Sequence, residues 1–196
     1  MYKRQECNRI YGYTAQQTLD YVQSLYEKKL ATYPRTDSQY LTKDMQATAA
    51  SLILWLRDNM PFGKGCAGEP DIDWVTDDSK VTDHHALLVT PNRPLALYKD
   101  EQTIYDMIVG RMVEAFSPEC VKDTTTVRAE CEGIAFETKG CIVRKAGWRS
   151  VYGEDNIDTV LPDWKEGDIL AMSGCSMSSG MTRPKPLHTE STLLAA

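Results

Sequence analysis

The stretch Tyr33-Pro34-Arg35-Thr36-Asp37-Ser38 sets a phenol two residues from a guanidinium. Proline confines the residue before it to extended geometry, because its ring collides with a preceding residue in the α region. Residues two apart on an extended chain share a face, so Tyr33 and Arg35 are expected to project together at about 7 Å spacing. A neutral phenol, with a reference pKa of about 10, is a weak nucleophile at neutral pH without help. A guanidinium keeps its charge and offers a planar fork of donors matched to phosphate oxygens, which suits it to a pentavalent phosphorus transition state. The chemistry on offer is attack of a phenolic oxygen on phosphorus. Packing is the competing role: the chain has 10 tyrosines, and a tyrosine among so many more often packs than reacts. Taken alone, Arg35 reads as a solvated surface charge, and Asp37 and Ser38 read as turn or cap residues.

The elements that must position these groups are helical in the first two-thirds of the chain. Thr14 and Gln17 form a capping box, after which Ala15, Leu19, Val22, Leu25, Tyr26 and Leu30 recur at three- and four-residue steps on one buried stripe. Pro34 requires that helix to end before Tyr33, which puts the phenol on a bend leaving a helix. A second helix is expected to start near Thr42, with Met45, Ala49, Leu52, Ile53 and Leu56 inward and Pro61 closing it. A third follows Asp100, carries Ile104, Met107, Ile108, Met112 and Ala115 on one side, and stops before Pro118. Between these two, Gly63 to Pro94 reads as loop around one apolar patch, Ala86-Leu87-Leu88-Val89.

From Val121 the period changes to two: Val127, Ala129 and Cys131, then Ile134 and Phe136, then Cys141 and Val143 alternate with polar residues. Glu132-Gly133 is expected to be a tight turn, Gly140 a bulge, and Ile169 to Met172 a last strand after Glu166-Gly167-Asp168. The fold class is therefore α+β: a mainly helical domain over residues 1–120 carries the tyrosine, and an antiparallel β segment over 121–182 follows. Residues 183–196 open a further helical segment. Its ending, from Thr189 to Ala196, reads as a helix cut off just after its N-cap, so the chain is expected to be a piece of something longer.

Bulk composition narrows the partners. With 42% hydrophobic and 26% charged residues the chain is an ordinary globular one, and its net charge of −6 and pI near 5.1 argue against a broad basic surface for nucleic acid. Any DNA contacts must be few and local. The longest apolar run falls far below the roughly 18 residues of a membrane span, and no basic-then-apolar leader opens the chain, so no membrane partner and a cytoplasmic location are expected. Six cysteines, Cys7, Cys66, Cys120, Cys131, Cys141 and Cys175, stand apart with no Cys-x-x-Cys pair, and are expected to be free, mostly buried thiols.

The string from Lys29 to Leu41, with Tyr33-Pro34-Arg35-Thr36-Asp37-Ser38 at its centre, resembles the active-site segment of bacterial type IA DNA topoisomerases of the topoisomerase III kind. Asn8 to Ala15 is similar to the lead into the helix before the family's tyrosine, Thr82-Asp83-His84-His85-Ala86-Leu87 to its His-His-Ala element, and Pro184 to Glu190 to its return towards the DNA-gate domain. Two departures are visible, at Leu187-His188, where the family usually has a tyrosine, and at Leu87-Leu88-Val89-Thr90, where it has an apolar pair then Pro-Thr. The resemblance covers almost the whole chain.

That resemblance implies that Tyr33 attacks a backbone phosphorus of single-stranded DNA to give a 5′-phosphotyrosyl link and a free 3′-hydroxyl. Resealing would then need no nucleotide, in keeping with the absence of a Gly-x-x-x-x-Gly-Lys-Ser/Thr loop. Arg35 would hold the scissile phosphate. His84 would hydrogen-bond a phosphate near it, with His85 the weaker candidate; apart from the resemblance, a loop histidine capping a backbone group is the preferred role for either. The family holds Mg²⁺ with the carboxylates of a Toprim domain, of which this sequence shows nothing. The implied partners are thus single-stranded DNA and the Toprim and gate domains of a full-length chain, and the isolated 196 residues are expected to bind DNA weakly and not to cleave it.

Other readings of the tyrosine fit less well. A rolling-circle relaxase uses a His-hydrophobic-His metal pair, whereas His84 and His85 are adjacent, and a tyrosine recombinase needs a multi-arginine pocket that an acidic chain does not advertise. A single-stranded nucleic-acid-binding or scaffold module with a structural tyrosine loop is the non-enzymatic alternative, and it requires Tyr33 to be buried with its hydroxyl satisfied internally.

Overall fold

The computed structural model describes residues 2–63, 69–94, 96–153, 158–171, 174 and 176–195. The chain divides into two compact units, one of residues 1–120, 146–155 and 188–196, the other of 121–145 and 156–187. The class is α+β, as the two periodicities require, with most of the helix preceding the strands.

In the first unit, α1 (Tyr2–Tyr11) packs on α2 (Ala15–Glu27), α2 on α4 (Lys99–Ala115), and α3 (Gln46–Asn59) on α4. The capping box at the start of α2 is present in full: Thr14 Oγ1 accepts from Gln17 N at 3.1 Å and Gln17 Oε1 accepts from Thr14 N at 2.9 Å. Val22 and Leu25 are buried as the stripe predicts, joined by Thr18, whose hydroxyl is satisfied by the Thr14 carbonyl. Tyr26, expected on that stripe, is exposed. The second helix begins with a 3-10 turn at Lys43–Met45 and buries Ala49, Leu52, Ile53 and Leu56, while Pro61 opens a further 3-10 turn. Helix α4 buries Ile104, Tyr105, Ile108, Val109, Met112 and Val113, a wider face than one stripe, because α2, α3 and the 3-10 segment Gly147–Tyr152 all pack against it. Burying each of these large apolar side chains contributes roughly 1.5–3 kcal/mol.

Helix α1 has no apolar stripe in the sequence; among its described side chains only Cys7 is fully buried, and Gly12 at φ +72° ends the helix with its N–H on the Asn8 carbonyl. The short helix α5 (Glu190–Ala195) starts as expected after Thr189, whose Oγ1 accepts from Thr192 N. Its Glu190 carboxylate accepts from Ala15 N at 2.7 Å, supplying negative charge at the N-terminus of α2.

The second unit is built on the hairpin of β1 (Val121–Cys131) and β2 (Ile134–Lys145), antiparallel and in register from Cys131↔Ile134 outward. Its two-residue turn, Glu132-Gly133, has positive φ at both positions (48° and 78°), the geometry whose twist matches the strands. Gly140 is not a bulge. The irregularity lies between Val121 and Lys122, and Gly140 sits where Leu161 and the Thr159 carbonyl cross the strand, so that a Cβ would come within 2.8 Å of both. Residues 169–171 do not form a strand: Ile169 is 97% exposed and has no neighbouring chain to pair with among the described residues. Met172, the last residue of that expected strand, lies outside the described residues. Of the cysteines, Cys7 is buried, Cys120 and Cys141 are half-buried and Cys131 is exposed, all four as free thiols; Cys66 and Cys175 lie outside the described residues. Burial of the thiols is therefore the exception. Among the described residues no helix is long and apolar enough to cross a membrane.

Candidate active site

Helix α2 ends before proline would force it to. Lys29 adopts φ +59°, and the N–H groups of Lys29 and Leu30 turn back onto the carbonyls of Tyr26 and Leu25, both at 2.8 Å, closing the helix in a Schellman motif with lysine where glycine is usual. The carbonyl of Lys29 then accepts from Thr90 Oγ1 at 2.6 Å and Asn92 Nδ2 at 2.8 Å. From there the chain leaves the helix, bends at Pro34, and is stitched to the loop before α4 along its length. Ala31 bridges Val89 in antiparallel fashion, with Thr32 N donating to Leu88 O and Thr90 N to Leu30 O. Further on, Ala86 N donates to Tyr40 O, and Leu41 bridges Thr76. The apolar patch Leu88-Val89 is buried because it forms the inner side of this pairing.

Held in this way, Tyr33 and His84 meet: their ring centroids are 4.4 Å apart with the planes inclined at 41°. On the other side Tyr26 stands edge-on to Tyr33 at 5.6 Å, which accounts for its turning away from the core. Thr36 Oγ1 donates to the His84 carbonyl at 3.0 Å and ties the loop down beside the rings. Tyr33 is half-buried, and its hydroxyl has no partner among the described residues. Arg35 is exposed and makes no ion pair among the described residues. His85 is turned differently from His84: its Nδ1 lies 2.8 Å from the Ala86 carbonyl, the backbone role that a loop histidine takes by default.

Ser38 is both a turn residue and a tie to a distant segment. Its Oγ donates to Lys80 O at 2.9 Å and accepts from Tyr40 N, while its own N–H is capped by Thr36 Oγ1. Lys80 Nζ lies 4.3 Å over the Tyr40 ring and pairs with Asp77, which holds its pKa above the ordinary lysine value. One neighbour of Tyr33 had no signal in the sequence: Lys3, from the first turn of α1, donates to the carbonyl of Pro34 at 2.7 Å. Among the described residues no group of three His, Cys, Asp or Glu side chains is placed to hold a metal ion. Asp71, Asp73, Asp77 and Asp78 are used instead in 3-10 turns, where Asp77 caps Ser79 N and Asp78 accepts from Lys43 N.

The arrangement is a phenol with an imidazole against it and a guanidinium two residues away, the hydroxyl and the guanidinium both without a partner among the described residues. A family model described as DNA topoisomerase matches residues 4–196. A DNA topoisomerase 3 of Shouchella clausii (strain KSM-K16) is 37% identical over 205 residues, which cover 98% of this chain and 28% of that protein. One of Bacillus subtilis (strain 168) is 33% identical over 219 residues, covering 98% of this chain and 29% of the relative. The chain thus spans less than a third of the length of the curated relatives it matches. It belongs to the DNA topoisomerase family, in its type IA, topoisomerase III branch.

Proposed function

We propose that this chain carries the nucleophile of a topoisomerase acting on single-stranded DNA. The Tyr33 phenolic oxygen attacks a backbone phosphorus and loses its proton; the bond from phosphorus to the 3′-oxygen breaks, that oxygen takes up a proton, and the 5′ side of the break stays on Tyr33 as a phosphotyrosyl ester. The ester keeps the bond energy, so the reverse attack by the 3′-hydroxyl after strand passage reseals the strand without ATP. The observation that carries this reading is the placing of His84 against Tyr33, 4.4 Å between ring centroids, around a hydroxyl with no partner among the described residues.

Arg35, exposed and unpaired among the described residues, is assigned to the scissile phosphate, where a planar fork of donors serves the developing charge. His84 is assigned to a neighbouring phosphate oxygen. His85, occupied with the Ala86 carbonyl, is left a secondary DNA contact. The carboxylates described here do not fit a Mg²⁺ site. From the family resemblance Mg²⁺ is assigned to a Toprim domain outside this chain, with no step derived through it, and the chain alone is expected to bind DNA weakly and not to cleave it, in a cytoplasmic enzyme.

In the full-length enzyme, Tyr33→Phe is expected to abolish the denaturant-stable adduct with a labelled single-stranded oligonucleotide while binding of that oligonucleotide persists. A surviving adduct refutes the assignment.

A further inference from the structure

We propose that Lys3 is a positioning residue for the Tyr33 nucleophile, its ammonium clamping the Pro34 carbonyl and so setting the peptide that joins the phenol to Arg35. This rests on the assignment of Tyr33 made above. The hydrogen bond is 2.7 Å long and links the first turn of α1 to the peptide that follows the nucleophile, with Pro34 itself buried. Proline has already fixed φ at this point, so the rotation left to Pro34 is ψ, which turns the Pro34–Arg35 peptide plane, and a hold on the Pro34 carbonyl restrains that rotation. Rotation of that plane would swing Arg35 relative to Tyr33, because it is one of the two peptide planes that separate their Cα atoms.

The clamp is built at a cost. Lys3 is half-buried, and no carboxylate pairs with it among the described residues. Burial, reinforced by Arg4 beside it, lowers its pKa to about 8, against a smaller opposing influence of Cys7. The Nε of Arg4 is itself buried without a partner. A purely structural contact to a carbonyl would be met more cheaply by a neutral donor; an unpaired, half-buried ammonium beside a nucleophile suits a site that receives a phosphodiester. The charged and titratable groups around Lys3 are Arg4 and Cys7 on α1, and Tyr33 and Arg35 flank the clamped carbonyl on the facing segment.

The test uses the full-length enzyme, a labelled single-stranded oligonucleotide and single-turnover adduct formation between pH 6.5 and about 9.5. Lys3→Met is expected to slow adduct formation about tenfold at neutral pH with the half-saturating oligonucleotide concentration unchanged within about twofold, and Lys3→Arg to restore most of the rate. The ratio of wild-type to Lys3→Arg rates should fall as the pH rises through about 8, because only the lysine loses its charge there. A Lys3→Met enzyme that reacts as fast as wild type, a Lys3→Arg enzyme as slow as Lys3→Met, or a ratio flat across the range overturns the proposal. Should Lys3→Met fail to fold, the Lys3→Arg pH comparison decides alone. Tyr33→Phe, run in parallel, separates this outcome from failure of the Tyr33 assignment: an adduct that survives there sinks the assignment and the clamp with it, whereas loss of the adduct leaves the Lys3 variants to judge the clamp alone.

Discussion

Replacement of Glu101 by alanine tests how α2 and α4 are joined beneath the site. Glu101 stands in the first turn of α4 with a side chain only 8% exposed, and both its oxygens lie 2.6 Å from Lys28 Nζ. Ser24 Oγ donates to it at 2.6 Å and the Tyr98 N–H at 3.2 Å. Burial pushes this carboxyl up, yet the Lys28 ammonium, Ser24 and the Tyr98 N–H together hold it below the ordinary carboxylate value. Losing the Ser24 bond to a charged acceptor costs about 1.5–3 kcal/mol, and losing the cap on Tyr98 N about 1. Lys28 is 39% exposed and can turn to water, so its share is about 0–1 kcal/mol. The sum is about 2.5–5 kcal/mol, or a fall in Tm of roughly 10 °C for a chain of this size. Urea unfolding followed by helical circular dichroism measures it directly. Because the folded-state pKa is lowered, the stabilisation is fully present above the unfolded carboxylate pKa and is lost as the pH falls through the lower folded value. The gap between wild type and Glu101→Ala should therefore narrow in acid. A loss below about 1 kcal/mol, or a Lys28→Ala variant as damaging as Glu101→Ala, would refute this apportioning.

Two further substitutions probe the frame. Gly147 has φ +53°, and a Cβ there would meet the Glu119 carbonyl oxygen and the Pro118 oxygen at 2.3 and 2.5 Å. Backbone cannot swing aside as a flexible side chain can, so Gly147→Ala is expected to cost at least about 2 kcal/mol from the left-handed strain alone, and thermal unfolding at wild-type Tm would disprove the clash. Thr14→Ala removes the side-chain half of the capping box and should cost about 1 kcal/mol in urea unfolding; a neutral result would mean that the Glu190 carboxylate at Ala15 N carries the cap instead.

The amino-acid sequence alone determined what depends on near neighbours. The capping box at Thr14, the turn at Glu132-Gly133 and the change from period 3.6 to period two are all settled within a few residues, and all stand in the structure, whereas the extended run expected around Pro34 is broken there by a bend. The motif around Tyr33 was legible for the same reason, as was the family. What the tertiary structure decided are the pairings between distant segments, which no local period encodes. The meeting of Tyr33 with His84 required residues 30–32 to pair with 88–90. Gly140, which alternation suggested was a bulge, is small because another segment crosses it, and Ile169 to Ala171, which had the pattern of a strand, has none because a strand exists only where a neighbour completes its hydrogen bonds. Helix α1 has too few apolar residues to announce itself, and the contact of its Lys3 with the Pro34 carbonyl follows from how α1 lies on α2, a matter of packing rather than of order along the chain.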